Sequence, residues 1–517
     1  MWSAAEHEAM GRGVARELMR GDTVPVAGRL LGNGPEAWIA FDREMRRLQR
    51  FPGAGAHVDR LEARLCHPDG RIRASALAAW RNPPAQLVLI RCADWVPQVR
   101  ERARRVLGRV VAHHPVRTRD RARRALNRPV ADDPARVLAA LTPLALRLGG
   151  REQGAWAVEQ LEAALGGRYS VLAAWWRPGL PSTTWSWNSL TPRQREHLLE
   201  RLAGSADRPT RRFATRVALG VGRYGAGELA RRAAVERDPA TGRMWTDAAL
   251  AALAAGGPDE GAVDTLLGSR FPQVRAAGVT ALRRAGRAAE ADRFLADRAG
   301  SVRACARWLL RQDGGDPHAH YRALLADPER VDRYAVTGFT EVAGREDAPL
   351  LRPLLEHRDG PVRGAALAGL RRLGARVETP LLLALLEDSS ASAAREAALH
   401  LLPGAGRLDA AALAALAGPR RRQHTRRAAF RLLHGRGGSA ELRASVALLT
   451  DPDPGTRRRA RDRVASWNWL STLDEGEAAR AELGGLLARA AEELDALDLR
   501  LSHSPGARGP GRARRIG

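Results

Sequence analysis

The chain has 517 residues, 84 of them basic and 58 acidic, giving a formal charge of +26. Every basic residue is Arg, because the sequence holds no Lys. That absence excludes a P-loop nucleotidase, Schiff-base and pyridoxal-phosphate enzymes, and a protein kinase, each of which needs a lysine at its reacting centre.

Residues 1–20 mix Glu6, Glu8, Glu17, Arg12 and Arg16 with no apolar run, so they read as a helical segment and not as a signal peptide. No stretch reaches the roughly 18 uncharged apolar residues that a membrane span needs. Cys66, Cys92 and Cys305 lie far apart, form no CxxC, and suggest a reducing compartment. A cytoplasmic location is the simplest expectation.

Further along, His67-Pro-Asp-Gly-Arg-Ile-Arg73 and Asp94-Trp-Val-Pro-Gln-Val-Arg100 are two similar units. Residues 100–107 are echoed at 119–126, an interval too short for a full unit. Residues 100–128 hold 11 Arg and two acids, and Arg117, Arg121, Arg124 and Arg128 form one helical stripe. Arg100 and Arg104 precede that stripe. Such guanidinium rows suit phosphate oxygens. Four Trp and three Pro then interrupt the pattern between Tyr169 and Arg193, with Trp185 and Trp187 flanked by Ser, Thr and Asn as candidate stacking residues.

From residue 200 onward the chain repeats. Anchors are expected at Arg211, Arg243, Arg275, Arg303, Arg333, Arg363, Arg395, Arg426 and Arg457, spaced 32, 32, 28, 30, 30, 32, 31 and 31 apart. Each unit reads as an Asp/Pro/Gly turn, an amphipathic helix, a glycine stop (Gly286, Gly344, Gly374, Gly435) and a second helix. Two helices in about 31 residues cannot bury their apolar faces alone, so the units must stack. The fold class expected is all-α, an α-solenoid of stacked helix pairs.

Residues 420–463 hold 13 Arg and four acids, and Arg420, Arg421, Arg422, Arg426 and Arg427 are candidate binding residues. The segment 474–501 carries eight acids, three Arg and an apolar stripe, as a polar end cap would. The organisation expected is a helical segment over 1–55, an irregular block over 56–178, a Trp/Pro-rich linker over 179–192, a regular solenoid over 193–470, an acidic capping helix over 471–501 and a disordered basic tail over 502–517.

The turn Asp, the Val-Arg pair and the small residues after it resemble the HEAT-repeat family in its short bacterial form. The resemblance implies a ladder of Asp–Arg ion pairs between neighbouring repeats. It should have gaps where Ser205 and Ser269 stand six residues before an anchor. The resemblance is specific for fold and nearly silent about function, and no cofactor and no metal are expected. Gly220 to Gly225 spells GxGxxG inside a repeat and reads as a helix stop, and the turn cluster Asp313, Asp316, His318 and His320 reads as a loop.

The function expected is a non-enzymatic, monomeric scaffold presenting an Arg-rich surface to nucleic acid or an acidic protein, away from membranes. The alternative is a glycosylase: some HEAT-like solenoids act on alkylated DNA, and Asp94 beside Trp95 is the candidate catalytic carboxylate.

Overall fold

The computed structural model describes residues 3–21, 26–30, 32–50, 60–79, 83–112, 134–166, 190–222, 224–257, 259–327, 331–467, 481–482, 484–486 and 488–492. Among them every regular element is helical. The protein is an α-solenoid of stacked short helices, divided into two compact units, Met1–Gly278 and Val279–Gly517.

The first unit contains α1 (Ala4–Arg20), α2 (Val26–Leu30), α3 (Pro35–Leu48), α4 (Leu61–Leu65), α5 (Gly70–Ala79), α6 (Ala85–Arg91), α7 (Pro97–Ala112), α8 (Pro134–Leu148), α9 (Ala155–Ala164), α10 (Pro192–Ala203), α11 (Arg208–Val221), α12 (Ala226–Val235), α13 (Pro239–Gly256) and α14 (Glu260–Leu267). The division falls within α15 (Pro272–Leu282). The second unit contains α16 (Gly300–Gln312), α17 (Pro317–Leu325), α18 (Arg333–Thr340), α19 (Ala348–Leu351), α20 (Gly360–Arg372), α21 (Thr379–Leu385), α22 (Ala391–Leu401), α23 (Ala410–Leu416), α24 (Gln423–Arg436), α25 (Gly438–Ala447) and α26 (Pro454–Ala465). In it α18 packs on α20, α20 on α22 and α22 on α24.

The helices start where the sequence supplies an acceptor. Asp207, Asp238 and Asp453 each cap a helix by accepting the N–H of a Thr three residues on, with Pro in the first turn. They stop at glycines that take a left-handed backbone, such as Gly286 and Gly374 at φ of 70° and 67°. Gly435 has a different role from the stop expected of it. It lies within α24, and a Cβ there would meet Leu402 Cδ1 at 2.5 Å.

The turn before each anchor helix follows one design. Its first residue accepts a hydrogen bond from the N–H two residues on: Val96 to Asp94 Oδ1 at 3.0 Å, Phe271 to Ser269 Oγ at 3.2 Å, Asp359 to His357 Nδ1 at 3.0 Å, and Asp453 to Asp451 Oδ1 at 2.8 Å. The main-chain carbonyl of that residue accepts from the anchor six residues later. Arg73 donates to His67 O at 2.7 Å, Arg275 to Ser269 O at 2.9 Å, Arg303 to Asp297 O at 2.7 Å, Arg363 to His357 O at 2.6 Å and Arg457 to Asp451 O at 2.6 Å. Arg211 donates likewise to Ser205 O.

The remaining guanidinium nitrogens reach the next turn. Arg73 grips Asp94 at 2.9 and 2.8 Å, Arg363 grips Asp388 at 2.7 and 2.7 Å, and Arg426 grips Asp451 at 2.7 and 2.9 Å. A second rung runs beside the first, from Arg212 to Asp238 at 2.9 and 3.0 Å and from Arg427 to Asp453 at 3.0 and 2.7 Å.

Three expected anchors are not in this position. Arg243 is 82% exposed and faces Asp247 at 3.7 Å, and Gly242, directly after the buried Thr241, holds the anchor place. Arg333 is exposed beside Tyr334, and the buried Val336 stands four residues past the Asp332 cap. Arg395 is 64% exposed and pairs with Glu396 at 2.7 Å, with the buried Ala394 just before it. The Asp388 carbonyl, left without an anchor from its own helix, accepts from His424 Nε2 at 2.8 Å.

The expected linker at 179–192 lies mostly outside the described residues, as do most of the 474–501 stripe and the whole 502–517 tail. Within the acidic segment Leu486 and Ala490 are buried, and Glu482 accepts from Arg443 at 2.7 and 2.6 Å.

Removing an anchor leaves a buried carboxylate without its cation. Arg426→Ala should cost about 3 kcal/mol in urea unfolding, whereas Arg243→Ala should stay within about 0.5 kcal/mol. Equal effects would show that the rungs do not hold the stack. The same ion pairs set the acid limit. Hydrogen bonds from Arg47 and Arg16 carry the Glu44 carboxyl down to about 2, against burial. The Arg212 hydrogen bonds hold Asp238 well below the usual carboxylate range. A lowered folded pKa means stability that is present above the unfolded value and lost as pH falls. Circular dichroism should therefore show stability falling between about pH 4.5 and 2, with a shallower fall in Glu44→Gln.

Candidate partner-binding surface

Two kinds of arginine must be separated before any surface is drawn. Arg426 is 5% exposed, with its nitrogens on Asp451 and on the Arg421 carbonyl at 2.7 Å, so it cannot face a partner. Arg427 holds Asp453, and Arg421 pairs with Glu387. Arg420 and Arg422, in the turn before α24, are exposed and make no ion pair among the described residues. Arg100 donates to the Asp94 carbonyl at 2.9 Å. Arg104 donates to the Cys92 carbonyl at 3.3 Å and lies over the Trp156 ring at 4.8 Å, and burial holds its guanidinium below the ordinary range. Arg117, Arg121, Arg124, Arg128, Trp185 and Trp187 lie outside the described residues.

The structure adds arginines that the sequence reading passed over. Arg431 lies half-buried on α24, and Arg458 and Arg459 are exposed on α26. None of the three makes a hydrogen bond or ion pair among the described residues. Burial, and then the nearby positive charges of Arg459 and Arg395, hold the Arg431 guanidinium below its usual value, with Glu396 opposing. The sequence signal for Arg431 was its place one helical turn after Arg427, on the same face.

The tempting motifs have structural uses. Gly222 ends α11 at φ 67°. Asp316 caps α17, His318 Nε2 lies 2.8 Å from Asp347, and His320 lies 3.9 Å from Asp292. Among the described residues no group of three or more His, Cys, Asp and Glu could hold a metal, and no helix is long and apolar enough to cross a membrane.

Residues 320–403 match the family model described as HEAT repeats. That stretch of the second unit is therefore made of HEAT repeats. No curated protein matches the chain. Among solved structures, the chain is similar to a chain from the structure of Kap95p binding to RanGDP. The identity is 11%, over 98% of this chain and 71% of that one, with a TM-score of 0.32. It is also similar to an engineered protein, at 16% identity over 88% of this chain and 98% of that one, with a TM-score of 0.19.

Asp94, the carboxylate singled out for a glycosylase, is a rung of the HEAT ladder. It is 3% exposed, gripped by Arg73, reached by Arg91 at 3.2 Å and by Arg46 at 3.7 Å, and it accepts the Val96 N–H. Its oxygens hold the turn and do not open to a ligand. The group exposed there is Trp95, at 62%, with the Arg46 and Arg73 guanidinium carbons each 4.5 Å from its ring centroid. Asp94→Asn should therefore lower stability by about 2–4 kcal/mol in urea unfolding, because buried Arg73 loses its charged partner. A variant as stable as the parent would return Asp94 to the candidates for chemistry.

Proposed function

We propose that this chain is a non-enzymatic scaffold whose arginine-rich surface receives a polyanionic or acidic macromolecule. One observation carries the reading. After the ladder has used its arginines, Arg420, Arg422, Arg431, Arg458 and Arg459 remain within one short stretch without an ion pair among the described residues. Structural need accounts for Arg363, Arg426 and Arg457, whose hydrogens reach turn carbonyls and carboxylates, and it does not account for these five.

A formal charge of +26 and a pI near 11.4 are the footprint of a protein that meets negative charge. HEAT solenoids offer long surfaces made of many equivalent helices, which suits an extended partner. The acidic segment after residue 471 serves as an end cap in this reading. Glu482 engages Arg443 on α25.

The test is binding of the full chain to a DNA duplex, a DNA single strand, an RNA and an acidic polypeptide across a salt series. Association with at least one of them should weaken steeply with salt, by about 0.9 in log K per log salt for each duplex phosphate neutralised. Tight binding with a slope near zero, or no binding to any of the four, would sink the reading.

A further inference from the structure

Within the second unit a groove lies between α17 and α19, the second helices of two successive repeats. Its cavity is about 480 Å³, within the roughly 300–1,000 Å³ of ligand-binding pockets. Leu325 and Ala326, at the end of α17, line one wall. Pro349 and Leu350 of α19, with Pro353 and Leu354 of the 3-10 turn Pro353–Glu356, line the other. The prolines account for the space. Pro353 has no N–H to give to the carbonyl four residues back, and α19 ends at Leu351. That wall is therefore two short pieces and not one full helix.

Burial grades across the groove. Leu325 and Leu354 are buried, Leu350 is half-buried, and Ala326, Pro349 and Pro353 are exposed. The charged groups of the lining are all exposed: Arg322 on the α17 side, and Glu356 and Arg358 on the other. Each side thus brings one guanidinium, and the two outnumber the single acid. An apolar floor with a polar rim is the anatomy of a protein interface. A small-molecule site would need polar groups converging inside the apolar space, and no polar side chain of this lining is buried. Single-stranded nucleic acid would need rings on which to stack its bases. The one ring in the lining, His357, serves its own turn, where Nδ1 accepts the Asp359 N–H at 3.0 Å. What fits leucines and prolines between two guanidinium groups is an apolar side chain with carboxylates beside it.

We propose that this groove receives an acidic protein segment, which seats a large apolar side chain on Leu325, Leu350 and Leu354 and a flanking carboxylate on Arg322. The proposal rests on the scaffold reading above and names an acidic protein as the partner of this face.

The experiment is selection of random twelve-residue peptides on the full chain. Anisotropy of the enriched, labelled peptides is then measured with the parent, Arg322→Gln and Ala326→Phe. The first variant removes the charge, and the second fills the groove and leaves the charge alone. Both positions are exposed. Asp347, which feels the charge of Arg322, keeps His318 Nε2 at 2.8 Å and the Gly344 N–H at 2.9 Å, so thermal unfolding of Arg322→Gln should stay close to the parent's. Enriched peptides should carry Asp or Glu beside a large apolar side chain, and each variant should weaken them about tenfold. If Ala326→Phe does not fold, Leu350→Ala should weaken the same peptides. No enrichment, enriched peptides without acids, or equal binding to parent and folded variants overturns the groove. A parent that sediments as a dimer beside a monomeric Ala326→Phe gives the groove to a second copy and overturns the proposal. So does a synthetic peptide of residues 493–501 that displaces every selected peptide, since the occupant is then the chain's own acidic end. In each of these cases steep salt-dependent binding to any of the four polyanions leaves the scaffold reading standing, and binding to none of them fails it as well.

Discussion

Each turn of the ladder depends on one guanidinium touching two turns at once. Arg363 donates one nitrogen to the His357 carbonyl of its own turn and two to the Asp388 carboxylate of the next. Arg426 does the same between the Arg421 carbonyl and Asp451, and Arg457 then takes the Asp451 carbonyl. A buried carbonyl and a buried carboxylate both need donors, and a planar fork with five N–H groups supplies them in fixed directions. Lysine has a point charge and no fork, so it could not hold both turns in register. Stacking alone buries apolar faces without fixing the offset between repeats; the rungs fix it.

The period of the fold was legible because apolar helices and Asp/Pro turns recur at about 31 residues. The phase was not always legible. With 84 Arg in 517 residues, an arginine falls near the anchor place by composition alone. Arg243, Arg333 and Arg395 are such cases, and burial of Gly242, Val336 and Ala394 marks the true register. The turn residue was hard to recognise for the opposite reason. The backbone N–H two positions on donates to any short acceptor, so Asp94, Ser269 and His357 all satisfy it. The ladder gaps expected at Ser205 and Ser269 are gaps in the carboxylate rung only, since both carbonyls still take their anchors.

Asp94 illustrates how one spacing can suggest two chemistries. A carboxylate beside Trp95 and ahead of a basic run resembles a catalytic group, and six residues before Arg100 it is also the turn acceptor. Burial separates the two. With Arg73, Arg91 and Arg46 around it, the charge of Asp94 is compensated within the fold. Sequence gives the distance along the chain to Arg100 but not the arrival of Arg73 from the preceding repeat, 21 residues earlier.

The same logic divides the arginines of the second unit. Those at anchor places are neutralised by carboxylates and carbonyls that the repeat itself provides, so they lower the free energy of the fold. Arg431 on α24 and Arg458 and Arg459 on α26 make no ion pair among the described residues. A drift in composition toward arginine explains why a surface base is Arg and not Lys. It does not explain why some of these arginines sit at the anchor places, where the repeat's own turn carbonyls and carboxylates receive them, as Arg363 and Arg426 do.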